Sequence, residues 1–169
     1  MSAPDSIPMI SAALPGDADT LRDIATEAGI DAWSSGDYRA EILREDSFVL
    51  AARVGPTEIA GFLVARTIPG QNAHPDADLY NIAVTESRRQ FGVGGELLKT
   101  LISMAREQYV ENIWLEVRAS NNGAINFYAK YGFQAELTRR NFYSNPTEDA
   151  VIMRLKMTNE PESRDISNA

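Results

Sequence analysis

The chain has 169 residues, 44% of them apolar, with no cysteine, one histidine and a formal net charge of -8. That length and apolar content fit one well-buried domain; the lack of cysteine excludes disulfides, thiolate metal sites and cysteine nucleophiles, and a single histidine excludes a histidine-based metal cluster. The acidic balance opposes nonspecific nucleic-acid binding, which needs a basic surface to displace counterions, and it suits a basic partner.

No apolar run approaches the roughly 20 residues of a spanning helix, and the N-terminus lacks the basic-then-apolar pattern of a secretory signal. A soluble cytoplasmic protein with no membrane attachment is expected. Residues 1–8 and 158–169 are polar and proline-containing and read as a flexible N-terminus and a disordered tail. That leaves residues 9–157 as one domain.

Met9 to Ala13 reads as a short strand. Asp17 is placed to cap a helix whose apolar positions Leu21, Ile24, Ala25 and Ala28 recur at helical spacing until Gly29. A second short helix is expected over Tyr38 to Arg44. Ser47 to Arg53 and Ile59 to Ile68 form two β-rich runs around Val54-Gly55-Pro56-Thr57-Glu58, a hairpin pattern. The lone histidine, His74, sits in a glycine- and proline-rich stretch and reads as solvated. Leu79 to Val84 is the next strand. Leu97, Leu98, Leu101, Ile102 and Ala105 then mark one face of a helix reaching about Tyr109. Asn112 to Val117 follows as a buried strand, so strand, glycine turn, helix and strand make a right-handed βαβ crossover with a parallel pair. Asn121 opens another helix, which Gly132 stops after Tyr131. Two strands near Ala135 to Asn141 and Ala150 to Lys156 flank the turn-prone Ser144-Asn145-Pro146-Thr147. The sum is an α/β domain with a mixed sheet, mostly antiparallel around a central parallel pair, with flanking helices.

The segment Gly92-Val93-Gly94-Gly95 between a strand and a helix leaves unpaired N–H groups at the helix start, where the helix dipole favours an anion. Taken alone, such a segment is more often a flexible turn or a tight-packing site. Competing phosphate motifs fail on residue identity. Gly95 is followed by Glu96 and Leu97, so the Gly-Lys-Ser/Thr of a P-loop is missing, and a Rossmann fingerprint starting at Gly92 would need glycine where Leu97 stands.

Arg89-Gln90-Phe91-Gly92-Val93-Gly94 resembles the Arg/Gln-x-x-Gly-x-Gly/Ala signature of the GNAT acetyltransferases, and Asn81-Ile82-Ala83-Val84 looks like their splayed strand. Trp114 to Asn121, Ala124-Ile125, Phe127-Tyr128 and Tyr131-Gly132-Phe133 are similar to the RimI-type branch, which acetylates the N-terminal alanine of a ribosomal protein. Arg139 to Tyr143 and Glu148 to Met153 continue the likeness. It is specific from about Leu79 to Met153; before that, Ala32-Trp33-Ser34 is only suggestive.

The resemblance implies a GNAT fold, acetyl-CoA as donor with no metal, and a protein N-terminus as acceptor, with a basic ribosomal protein as partner. It implies that Arg89, Gln90, Phe91, Gly92, Val93, Gly94 and Gly95, after Arg88, hold the cofactor's pyrophosphate. Ile82, Ala83 and Val84 would pair with the pantetheine arm, and backbone N–H near Val84 would meet the thioester oxygen. Glu116 is implied as base, acting through a water, with an ion pair to Arg118 as the alternative. Tyr128 is implied as the acid for the CoA thiolate, with Phe127 and Tyr131 left for packing. Asn121 is expected both to cap its helix and to bond the cofactor, and Trp33 and Tyr143 to wall a peptide slot. The branch often carries basic side chains in the glycine turn, whereas Phe91, Gly95 and Glu96 stand here, so backbone donors must do more of the binding. Two alternatives stay open: an acetyltransferase for a small amine or lysine side chain, and a noncatalytic acyl-CoA-binding module.

Overall fold

In the computed structural model, residues 7–30 and 33–158 are described. Most of the two expected terminal segments, together with Ala32, lies outside them. The elements run β1 (Met9–Ala12), α1 (Ala18–Glu27), α2 (Ser35–Ile42), β2 (Ser47–Val54), β3 (Glu58–Ile68), β4 (Asp76–Val84), α3 (Val93–Glu107), β5 (Asn112–Arg118), α4 (Asn122–Lys130), β6 (Gln134–Tyr143) and β7 (Glu148–Lys156). Seven strands form one sheet in the order β1-β2-β3-β4-β5-β7-β6. Every neighbouring pair is antiparallel except β4 and β5, the mixed α/β sheet that the sequence predicts. The last hairpin folds so that β7, not β6, lies against β5. No helix among the described residues is long and apolar enough to cross a membrane.

Helices cover both faces of the sheet. Val93, Leu97, Leu98, Leu101 and Ala105 of α3 are buried against Ala77, Leu79, Ile113 and Leu115, and Tyr128 of α4 belongs to the same core. Each buried leucine contributes about 1.5–3 kcal/mol. On the opposite face Leu21, Ile24 and Ala25 of α1 and Tyr38 of α2 pack on Val49, Ala51, Phe62 and Val64. β5 alternates rather than being buried throughout: Ile113, Leu115 and Val117 face the core while Glu116 is exposed.

Local polar contacts explain where elements begin other than expected. α2 starts at Ser35, before Tyr38, because Ser34 Oγ accepts from Asp37 N–H at 3.2 Å while the Asp37 carboxylate accepts from Ser34 N–H at 2.7 Å, a reciprocal cap. Asp17 does not cap α1. Its carboxylate accepts from Leu14 N–H at 2.7 Å and pairs with Arg53 at 2.6 Å, tying the chain before α1 to β2. β4 begins at Asp76, earlier than Leu79, since the buried Asp76 carboxylate accepts from Asn112 N–H, Asn112 Nδ2 and Trp114 Nε1 at 3.1, 2.8 and 2.9 Å. Those bonds fasten β4 to β5 at one end. α3 ends at Glu107, short of Tyr109, whose φ of 57° takes it out of helical geometry.

Only Ala77 with Ile113 and Asp78 with Trp114 are paired between β4 and β5. On the β3 side, Val64 faces Asn81 but its neighbour Ala65 faces Leu79, so Tyr80 is an extra residue in β4. A bulge of this kind bends its strand and increases its twist. Beyond Asp78, β4 stays with β3 as far as Val84 and β5 stays with β7 as far as Arg118. The parallel pair therefore opens into a wedge toward its C-terminal ends.

Two stability outcomes follow from this packing. Gly61 pairs with Val84, and a Cβ there would lie 2.7 Å from the Ala83 carbonyl oxygen. Gly61→Ala is therefore expected to cost about 1–3 kcal/mol, read as a lower urea midpoint with unchanged slope; an unchanged midpoint would show that the strands can separate freely here. The Tyr38 hydroxyl is buried without a hydrogen-bond partner among the described residues, and burial pushes the phenol from 10.0 up to about 12. The folded state thus keeps its proton longer than the unfolded chain, so this group's contribution is intact below about pH 10 and lost between about pH 10 and 12. Tyr38→Phe should keep or raise stability at pH 7, by up to about 1–3 kcal/mol, and flatten that alkaline loss; a destabilisation at pH 7 would reveal a partner for the hydroxyl.

Candidate active site

The connection from β4 to α3 reverses through two left-handed residues, Gln90 at φ 68° and Gly92 at φ 81°. Glycine meets the second requirement without strain; Gln90 carries a side chain through the same region. The first bond of the helix runs from Glu96 N–H to Gly92 O at 3.0 Å, so the amides of Val93, Gly94 and Gly95 have no partner inside α3. They point out of the N-terminal end of a 15-residue helix, an arrangement suited to an anion.

Gly95 has a second duty. A Cβ on Gly94 would touch the Phe127 ring at 3.5 Å, and one on Gly95 would run into the Tyr131 hydroxyl. Only Gly95 has to stay bare, so that Tyr131 at the end of α4 can lie against the first turn of α3; at Gly94 a Cβ would make an ordinary contact. The packing reading therefore holds for Gly95 alongside the amide geometry. The neighbouring cations are already engaged: Arg88 pairs with Glu58 at 3.1 Å, and Arg89 Nε donates to Val84 O at 3.2 Å. Phe91 is exposed. The positive character of the turn thus comes from its amides and from Arg89, whose charge a carbonyl partner does not neutralise.

Ile82, Ala83 and Val84 form the last residues of β4, on the wedge; Ala83 is buried and its two neighbours half-buried. Glu116 stands on β5, two residues past Trp114, the last residue of that strand paired with β4. It is exposed and bound to Arg139 of β6 at 3.0 Å, whereas Arg118, the alternative partner considered from sequence, pairs instead with Glu148 at 3.3 Å and lies 4.3 Å over the Tyr143 ring.

Tyr128 projects from α4 into the same region, 8% exposed, with the Phe127 and Phe133 rings 5.3 and 5.6 Å away. Burial holds its phenol above the ordinary tyrosine value, and Tyr143 adds to the effect. Burial raises Tyr143 as well, helped by the Glu116 and Glu148 carboxylates and opposed by Arg118. The phenol carries its proton at neutral pH, as an ordinary tyrosine does, and can donate it. Asn121 caps α4 by accepting from Ala124 N–H at 3.1 Å, leaving its Nδ2 as a donor. Trp33 and Tyr143 stand on opposite flanks of the wedge, Trp33 6.1 Å from Tyr80 of β4 and Tyr143 under Arg118 of β5.

Three residues here escaped the sequence reading: Asp78 at the last paired position, Tyr80 at the bulge, and Arg139 bound to Glu116. The alternation of Asp76, Asp78 and Tyr80 with Ala77 and Leu79 was the available signal for the first two. Nothing local signals that Arg139 reaches β5.

Residues 18–133 match the description "Acetyltransferase (GNAT) family". The [ribosomal protein bS18]-alanine N-acetyltransferase of Escherichia coli K12 is 42% identical over 85 residues, which make up 49% of this chain and 57% of that protein, so the aligned stretch spans little more than half of that relative. The protein of the same name from Haemophilus influenzae is 31% identical over 140 residues, 81% of this chain and 90% of the relative. The crystal structure of the ribosomal-protein-S18-alanine N-acetyltransferase from Escherichia coli superposes with a TM-score of 0.80 at 30% identity, covering 93% of this chain and 98% of the other. With the splayed parallel pair, the glycine-led helix start and these likenesses together, the chain belongs to the GNAT acetyltransferase family.

Proposed function

We propose that this chain transfers the acetyl group of acetyl-CoA to the N-terminal α-amino group of a protein, namely the alanine of a ribosomal protein. What carries the reading is the junction of two features at the C-terminal ends of β4 and β5: free amides at the start of α3, and Glu116 and Tyr128 at the wedge beside them. Crevices at such strand ends are where α/β sheets bind ligands. The names of the two aligned relatives supply the acceptor class. A ribosomal protein would place the reaction in the cytoplasm, and the net charge of -8 would speed encounter with a basic partner at low salt.

Residues 90–95 would hold the pyrophosphate through main-chain N–H, with Arg89 fixing the end of β4. Ile82 to Val84 offer an unpaired backbone edge to an extended arm, the Asn121 amide offers a further donor, and N–H near Val84 would meet the carbonyl oxygen. Acetyl-CoA supplies an activated acyl carbon and a thiolate leaving group. An α-ammonium has a pKa of about 7.7–8.0 and must lose a proton before it attacks. Glu116 accepts that proton through a water, and Tyr128 donates one to the departing sulfur. Trp33 and Tyr143 flank the entering peptide.

The test incubates the protein with acetyl-CoA and peptides beginning Ala, Ser or Met, with a polyamine and free lysine for comparison, and follows CoA release. Release with α-amino peptides, greatest for Ala, is expected. Glu116→Gln and Tyr128→Phe should each lower kcat by about 100-fold while acetyl-CoA binding, measured by calorimetry, stays within about threefold. Release with small amines alone would overturn the acceptor. Cofactor binding with background turnover unchanged in both variants would leave a binding module without catalytic roles.

A further inference from the structure

Glu41 and Asp76 are the two buried charged side chains among the described residues. Asp76 fastens β4 to β5, but the contacts of Glu41 lead elsewhere. From α2 its carboxylate accepts from Ser47 Oγ at 2.6 Å, and from both Nε, at 3.0 Å, and Nη2 of Arg66 on β3. Burial works against the charge of Glu41, yet Arg66 and Ser47 outweigh it and hold the carboxyl below its usual value. Two parallel hydrogen bonds fix the plane of the guanidinium as well as its position. A buried pair of this kind adds little net stability over well-packed apolar side chains, so its consequence lies in what the fixed guanidinium touches.

It touches Tyr80. The Arg66 guanidinium carbon lies 5.4 Å from the centroid of that ring. Tyr80 is the extra residue of the β4 bulge, without a register partner on β3, so cross-strand pairing does not set the direction of its side chain. It is also 41% exposed, beside the strand edge where the wedge opens. The contacts that hold its ring are Arg66 and Trp33, the latter 6.1 Å away. Trp33 in turn rests on Tyr38 at 5.3 Å, and Tyr38 on Phe62 at 5.4 Å, the last two fully buried. The row of rings runs from the core under α2 to the edge of the wedge, and Arg66 closes its outer end. Because Glu41 balances the charge of Arg66, the closing group offers a flat stacking surface without repelling an incoming ammonium.

We propose that the Glu41–Arg66 pair is a positioning device for the acceptor: it holds Tyr80 against Trp33 as one rigid wall of the slot that the acceptor enters. Neither Glu41 nor Arg66 touches a substrate; both act through Tyr80. This inference rests on the amine-acetylating reading above and adds to it the element that sets affinity for the acceptor.

The test measures kcat and acceptor KM for wild type, for Glu41→Leu with Arg66→Ala, for Tyr80→Ala and for all three substitutions together, on the best acceptor among the peptides, the polyamine and lysine. Removing both partners leaves no buried charge unpaired. Should that variant fail to fold, Arg66→Lys, which keeps a cation beside Glu41 but lacks the planar fork, takes its place in the same comparison. Melting temperature and acetyl-CoA affinity serve as controls. Loss of the pair should raise acceptor KM about tenfold, the size of a lost cation–π contact together with the ring contact it keeps in place, with kcat and acetyl-CoA affinity within about twofold of wild type. Tyr80→Ala should raise KM at least as far, and the triple variant should match Tyr80→Ala, because a brace has nothing to hold once the ring is gone. An acceptor KM unchanged by loss of the pair, a fall in kcat in place of the rise in KM, or effects that multiply in the triple variant would overturn the proposal. If wild type turns over only the polyamine or lysine, the N-terminal acceptor falls while the same comparison on that amine still decides the pair. Absence of turnover with every amine would overturn both.

Discussion

The extra residue at Tyr80 is the constraint on which the site depends. A strand inserted in a sheet normally satisfies its N–H and C=O groups on both edges, and β4 does so with β3 along its length. Toward β5 it does so only at its beginning, where Asp76 clasps Asn112 and Trp114. The bend at Tyr80 then directs the strand away, leaving the edge from Leu79 to Val84 facing an opening. An open strand edge is a template for an extended ligand. The helices inherit their places from that opening: α3 starts beyond the end of β4, α4 just beyond the end of β5, and Gly95 leaves room for Tyr131 at the end of α4.

The charges are divided to match. An acidic protein would repel an anionic donor, yet screening confines that field to about 8 Å at physiological salt, and the helix start supplies amide dipoles at contact range. Arg88 and Arg89 brace the turn from behind, through Glu58 and the Val84 carbonyl. Carboxylates stand on the other side of the wedge, where Glu116 binds Arg139 and Asp78 is half-buried at the last paired position. Under the proposed function the donor meets main-chain N–H and the acceptor amine meets carboxylates, so the two substrates enter regions of opposite polarity.

Most of the architecture was legible in the sequence because it rests on short-range pattern. The i, i+4 leucines of α3, the glycine turn and the cap at Asn121 each follow from neighbours in the chain, and the strand-helix-strand crossover implies the parallel pair. The misses were of two kinds. The start of α2 was signalled by Ser34 and Asp37 but overlooked beside the aromatic Tyr38, and the first turn of β4 was hidden by charged Asp76 and Asp78 after a proline. The bulge, the Arg139–Glu116 pair and the insertion of β7 beside β5 depend on register between strands far apart in sequence. Resemblance singled out Glu116 and Tyr128; only the sheet geometry shows where the parallel pair stops, at Asp78 and Trp114.

Amide hydrogen exchange, followed residue by residue with and without acetyl-CoA, tests the central claim most directly: that the donor lies between the splayed strands with its phosphates on the start of α3. Protection is expected over Gln90 to Gly95 and along Leu79 to Val84, with little change in β1, β2 or α1. Protection confined to other segments, with these amides exchanging as freely as before, would contradict the account.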